Sequence, residues 1–270
     1  MAQQSGVAGR DIAQVRRFGI APSVSIGMTT PTRATLSYLH LTENDTPDYG
    51  LPWLANGLVQ GVNRHSYFGF ADENYLKTND DILTLRVEHD FSPNVNLHTI
   101  ARAANYPRQA QITEPQICSN DKQSVPVGGY VAALPTLAYN SALTCPYTRA
   151  TPASAITQVN RNQIQVSSVE GDLWDQTEAT AHFRGLHMRH ALVAGVEGGQ
   201  EVSNPVRTSY TINKVNTVAP TTLLDPNEAQ PFGGTGYISS IVHTKSKSVG
   251  IYFVDTVKLG RLFEASGGVR

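Results

Sequence analysis

The feature that most constrains this chain is a repeated unit. Two extended segments meet at a very short turn, and a long irregular stretch then leads to the next pair. The first pair runs near Gln14 to Met28 and Thr32 to Glu43. They join at Thr29-Thr30-Pro31, where proline fixes φ and cannot enter a central ladder. The second pair, Asn79 to Phe91 and Val95 to Ile112, turns at Ser92-Pro93-Asn94. The third, Ser167 to Phe183 and Met188 to Ser203, turns at Arg184-Gly185-Leu186-His187. The last, Ser248 to Lys258 and Arg261 to Arg270, turns at Leu259-Gly260. Long loops are expected near Thr46 to Thr78, Thr113 to Val166 and Pro205 to Val242.

The segments alternate with period two, the mark of strands. Leu85 and Val87 face one way, while Thr84, Arg86 and Glu88 face the other. Polar Asn96, His98 and Arg102 alternate with Leu97, Ala101 and Ala103. Leu192, Ala194 and Val196 oppose a face ending in Glu197, and Phe263, Ala265, Gly267 and Val269 oppose Leu262, Glu264, Ser266 and Arg270. Asp175 interrupts the apolar face of Asp172 to Phe183. Such strands are long against a mode of about 5–6 residues in ordinary sheets. Tilted strands of an outer-membrane barrel cross lipid with about 9–11 residues and often project beyond it. Short turns on one side and long loops on the other belong to the same class, whereas a soluble sandwich has shorter strands and more even turns. The predicted fold is all-β: an antiparallel transmembrane β-barrel segment of about eight strands.

Charge and composition narrow the field. Charged residues make up 16 % of the chain, below the roughly 25 % usual for soluble domains, which fits a surface partly in lipid. A Thr/Asn/Ser-rich soluble β protein fits that figure equally well. The net charge of -1 shows no basic excess for nucleic acid. No run of 18 apolar residues exists to make a transmembrane helix. Met1 to Arg10 lacks the pattern of a signal peptide, so the chain is either cytosolic or starts downstream of its natural beginning. Cys118 and Cys145 share one polar stretch, which reads as a loop disulfide in an oxidising compartment; two free thiols remain the alternative.

Several stretches resemble the siderophore-receptor branch of TonB-dependent transporters, close to its catecholate-type receptors. They are Pro31-Thr32-Arg33-Ala34-Thr35-Leu36-Ser37-Tyr38, Pro47-Asp48-Tyr49-Gly50-Leu51-Pro52-Trp53, Leu83-Thr84-Leu85-Arg86-Val87-Glu88-His89-Asp90 and Ile112-Thr113-Glu114-Pro115-Gln116. Gly250-Ile251-Tyr252-Phe253-Val254-Asp255-Thr256-Val257-Lys258-Leu259 and Gly267-Gly268-Val269-Arg270 complete the set. The resemblance covers nearly the whole chain and rests on order and spacing together. It implies a barrel of roughly 22 strands with a plug domain inside. It also implies uptake of ferric siderophore across the Gram-negative outer membrane, driven by the TonB–ExbB–ExbD complex through the plug. The stretch shows no TonB box, plug or closing strand with a terminal aromatic. The expectation is a partial barrel domain over residues 1–270, with outer-membrane lipid as its surroundings and without a resident cofactor. A passive porin and a soluble β-rich binding or adhesion module are the competing readings.

No Gly-x-Ser-x-Gly elbow, Walker A loop or His-Glu-x-x-His pattern points to an enzyme. Gly233-Gly234-Thr235-Gly236 lacks a following Lys and reads as a loop; His182, His187 and His190 lack the spacing of a metal site. The loop from Tyr49 to Tyr75 is different. It holds Tyr49, Trp53, Tyr67, Phe68, Phe70 and Tyr75, with Arg64 and His65 between them. Rings that stack on catechols and an Arg that supplies charge would suit an anionic, aromatic ferric complex. The competing account packs these rings on the loop itself or at the headgroup level. Arg86 and Arg102 on the polar face are weaker candidates, because barrel interiors are polar in any case. Phe91, Phe183 and Phe263 each adjoin a short turn and need only an interfacial aromatic girdle.

Overall fold

Four tight turns fold the chain back on itself. The computed structural model describes residues 2–54, 57–117, 151–156, 159–211, 218–260 and 262–270. Gly27 has φ +73, and a Cβ there would meet the Thr32 carbonyl oxygen at 2.1 Å, so glycine is required. Leu186 and His187 take φ 50 and 64, the two left-handed residues of a type I′ hairpin loop. Gly260 takes φ 65 without strain.

In chain order the strands are β1 (Ala2–Gly6), β2 (Gln14–Ile20), β3 (Ser23–Ile26), β4 (Thr32–Asp45), β5 (Trp53–Leu54), β6 (Gly57–Leu58), β7 (Tyr75–Ser92) and β8 (Val95–Gln116). They continue with β9 (Val159–Gly185), β10 (Met188–Ser203), β11 (Val206–Thr211), β12 (Val218–Thr221), β13 (Thr235–Ile241), β14 (Thr244–Leu259) and β15 (Phe263–Val269). One sheet of 13 strands runs in the order β1-β2-β4-β7-β8-β9-β10-β14-β15, with β3, β11, β12 and β13 off this path. β5 and β6 form a separate pair. Every pairing is antiparallel.

The expected long strands are present, with instructive differences. The first segment divides at Ala21-Pro22, where proline has no N–H to give; its carbonyl still accepts from the Tyr38 amide at 3.0 Å. β8 and β9 pair as far as Gln116 and Asn160, well into the stretch expected to be loop. The region expected to be loop from Pro205 to Val242 contains three strands. After the break at Pro205, β11 keeps β10's register against β9, and β13 runs beside it. These extensions carry polar residues on both faces, so no period-two signal marks them.

Register defines two faces. Leu36, Leu85, Ala101, Asp175, Gly198 and Val249 stand in one line across six strands. Leu85, Val87, Leu97, Leu192 and Val196 share that face, as the alternation predicts. The opposite face carries Arg86, Arg102, Asp172, Gln176, Glu178 and Tyr252. A barrel of this kind is apolar outside and polar within, so the second face lines the lumen. On the outer face Leu173, Val249 and Ile251 are 62 %, 83 % and 73 % exposed; no second sheet covers these rows among the described residues, which removes the basis for a sandwich. Phe91, Phe183 and Phe263 lie exposed on the outer face beside their turns.

At about 3.3 Å per residue and a tilt near 40°, about ten residues climb an apolar band of roughly 25 Å. Leu83 to Phe91 spans nearly that length on β7. Just above it, Asp81 accepts a hydrogen bond from the Tyr38 hydroxyl and is 2.8 Å from His40 Nδ1. Asp175 lies about ten residues above Gly185, at the upper edge of the band by the same reckoning. The Thr99 and Thr177 hydroxyls donate to it there.

Candidate functional site

The described apolar core sits at the long-loop end. Leu54, Phe68, Ile117, Ala153, Ile156, Val159 and Leu223 pack together there. Two connections lean on the tops of β8 and β9: residues 59–74, and residues 222–234. They cover the face that carries Gln111, Thr113, Arg161 and Gln163, continuous in register with the outer face below. The Asn74 side chain organises the contact. Its amide donates to the Tyr67 hydroxyl at 2.9 Å, and its oxygen accepts from Thr113 at 2.7 Å and Gln163 at 3.3 Å. Burial pushes the Tyr67 phenol up to about 12.

Arg161 is the most enclosed charge of this region, with 0 % exposure. Its guanidinium lies 4.3 Å from the Phe70 ring centre, and Nη2 donates to the Asn227 carbonyl at 2.7 Å. Phe70 meets Phe232 edge-on at 5.3 Å, and Phe232 meets Tyr210 at 5.0 Å. Burial pulls the guanidinium down to about 10, still charged at neutral pH.

The aromatic loop therefore divides. Tyr67, Phe68 and Phe70 are buried by these contacts and serve packing. Tyr75 accepts from Gln165 at 3.0 Å and has Lys77 over its ring at 4.7 Å. The Arg64 carbonyl accepts from Arg10, and His65 is 4.0 Å from Asp11; both side chains are exposed. Trp53 lies on β5, and its side chain is outside the described residues. Cys118 and Cys145 also lie outside the described residues.

Tyr49 goes elsewhere. It is 57 % exposed and lines a cavity of about 250 Å³ with Arg108, Arg207 and Glu114 over a floor of Ala110, Ile112, Ile164 and Val166. Those strand positions share the lumen face, so the cavity opens toward the barrel mouth. Neither Arg108 nor Arg207 has a side-chain partner among the described residues. Glu114 accepts from Asn162 at 3.1 Å. Two guanidinium groups, one carboxylate and an exposed phenol thus line one cavity, with positive charge and a ring face available to an anion. Sequence reasoning missed both arginines. The period-two pattern places Arg108 on the lumen face of an extended β8, but Arg207 lay in a stretch read as loop.

Arg86 and Arg102 do not join this cavity. Arg86 pairs with Glu88, which also pairs with Arg33 at 3.2 Å. Arg102 bonds Asp172 at 3.0 Å. Further along the lumen wall, His98 stands 3.5 Å from Glu178, which also accepts from Tyr252. These are neutralised wall networks, in contrast to the two arginines at the mouth.

Long antiparallel strands, an exposed apolar band and a charged lumen wall define a stretch of outer-membrane-type β-barrel. No family model matches the chain. It is 27 % identical over 283 residues to the catecholate siderophore receptor Fiu of Escherichia coli K12, covering 100 % of this chain and 33 % of that protein. Over 100 residues it is 41 % identical to the probable TonB-dependent siderophore receptor PiuA of Acinetobacter baumannii, covering 35 % of this chain and 13 % of that protein. The open-form crystal structure of the ferric-catecholate import receptor Fiu superposes with a TM-score of 0.73 at 25 % identity, over 99 % of this chain and 38 % of that one. The chain is thus similar to siderophore receptors of the TonB-dependent kind and spans about a third of the length of the curated relatives it matches first.

Proposed function

We propose that this chain forms part of the barrel wall of an outer-membrane receptor that imports ferric siderophores of catecholate chemistry. The carrying observation is the mouth cavity, which gathers Tyr49, Arg108 and Arg207 around one carboxylate, Glu114, with neither arginine in an ion pair among the described residues. A ferric catecholate is anionic and presents aromatic rings, so phenol stacking and guanidinium charge both favour it. Trp53, Arg64 and His65 belong to the same connection as Tyr49 and remain candidates for the approach to the cavity, with Tyr75, Arg86 and Arg102 lower in rank. Whole-length function would also need a plug and the TonB–ExbB–ExbD complex, with Gram-negative outer-membrane lipid around the band. A passive porin would share the wall, but the naming of the relatives as siderophore receptors supports the receptor reading.

The test uses the full-length receptor in outer membranes and an iron(III) tris-catecholate complex. Arg108→Gln and Arg207→Gln should each weaken binding by about ten- to a hundredfold, near the 1.5–3 kcal/mol of a hydrogen bond to a charged group. Tyr49→Ala should weaken it less, by about threefold, and barrel assembly should persist. Unchanged affinity in the Arg108→Gln/Arg207→Gln double variant would move the ligand site elsewhere.

A further inference from the structure

Arg161 lies on the face opposite the mouth cavity, yet its contacts gather the segments from which the cavity is built. β12 begins beside it, where Val218 is the ladder partner of Arg161 on β9. From the connection that follows β12, the Asn227 carbonyl accepts from Nη2 at 2.7 Å and Gln230 Oε1 accepts from Nη1 at 3.4 Å. From the connection between β4 and β7, the Phe70 ring lies under the guanidinium at 4.3 Å. The same two connections meet where the Ala71 amide donates to the Glu228 carbonyl at 3.0 Å. One precedes the β8–β9 hairpin in the chain and the other follows it, so Arg161 ties them together across that hairpin.

The environment suits a tie more than a stabilising ion pair. The side chain is fully buried, and among the described residues Nε has no partner and the guanidinium bonds Gln230 and Asn227 with no carboxylate. Glu228 supports the charge through space. A buried cation held by a ring and carbonyls loses much when any one of them withdraws, because the others cannot replace its hydration. The two connections therefore hold each other in place through it. Tyr49 belongs to the first connection, and Arg207 lies on β11, which leads toward the second.

We infer that Arg161 is a positioning residue: it locks the two connections into one body and so sets the placement of Tyr49 relative to Arg207 at the mouth. The second half of this inference rests on the ligand reading above; the lock itself does not. Hydrogen exchange of the full-length receptor in detergent tests the lock. In Arg161→Met, amides of 66–74 and 222–230 should exchange faster together, by roughly tenfold or more, while Ile82 to Val87 in β7 keep their protection. Faster exchange in one connection alone, or in neither, would overturn it. Should the β7 amides also lose protection, Gln230→Ala decides the point: it leaves the cation in place and removes one acceptor. Exchange must then rise in both connections, and a rise confined to 222–230 refutes the lock.

Binding of iron(III) tris-catecholate tests the positioning. With Tyr49, Arg108 and Arg207 intact, Arg161→Met should lower affinity roughly five- to tenfold. Joint loosening with unchanged affinity would overturn the positioning role. Absence of binding in the unaltered receptor would instead remove the ligand reading, and the exchange result would still decide the lock.

Discussion

Tyr67 shows how far a single residue's role depends on what comes to cover it. In the sequence it is one ring in a crowded polar loop. In the fold it is 2 % exposed, accepts from Asn74 and donates to the Pro47 carbonyl at 3.1 Å. Its phenol is held up at about 12 by burial, against an ordinary value near 10. A raised folded value means the neutral form is favoured in the fold. Its contribution to stability is complete below about pH 10 and is lost as pH rises toward about 12. An absorbance titration should therefore show a tyrosinate that appears late and vanishes from the curve in Tyr67→Phe; an unchanged curve would contradict the assignment. That variant also strips the Pro47 carbonyl and the Asn74 amide of a partner, costing about 1–3 kcal/mol. The density of aromatics was legible in sequence. Which of them face a ligand was not, because Phe232, Tyr210 and Arg161 arrive from distant segments.

At the scale of elements, the lumen wall shows why some strand positions are glycine. Tyr252 lies across Gly195, where an added Cβ would come within 2.3 Å of its ring. Trp174 lies across Gly199, where an added Cβ would come within 2.0 Å of its ring. Such glycines cost strand propensity but let an aromatic ring lie flat on the sheet. From Tyr252 the hydroxyl reaches Glu178, and Gln176 donates to that hydroxyl at 2.7 Å. Gly195→Ala should lift the ring and separate it from Glu178, at about 1–3 kcal/mol for overpacking. The urea midpoint in detergent should fall, while Gly267→Ala, where nothing lies within 4 Å of the new methyl, should leave it nearly unchanged. Equal midpoints for both variants would show that the ring does not need the glycine. The turns were readable as elements because proline and glycine announce them. The turn at Leu186-His187 was placed by its flanking strands, since Leu186 does not favour positive φ.

For the whole molecule, the open sheet matters most. β1 and β15 end the strand order and do not pair with each other. In hydrocarbon each unpaired N–H or C=O costs several kcal/mol, so a wall of this kind needs neighbouring strands on both sides. Residues 1–270 produced alone should therefore self-associate through these edges in detergent. Light scattering coupled to size exclusion should give masses well above one chain. A stable monomer with both edge strands protected from exchange would mean that the sheet closes on itself.

Local order in this chain determined a great deal. Period-two alternation, proline and glycine at short turns, and strands longer than a soluble sheet needs were enough for an antiparallel barrel wall with sequence-neighbour pairing. They also placed Leu85, Val87, Leu97, Leu192 and Val196 on one face, because strand geometry alternates whatever the partner. Tertiary structure decided what occupies the loop end. Strand β11 lacks an apolar alternation of its own and forms because β9 and β13 supply its ladder partners. The arginines of the mouth come from β8 and β11, and Tyr49 from the connection after β4, so their meeting depends on register across several strands. Burial of Arg161 likewise follows from two separate connections closing on one side chain, and no local pattern encodes a contact between segments whose distance apart is set only when the sheet has formed.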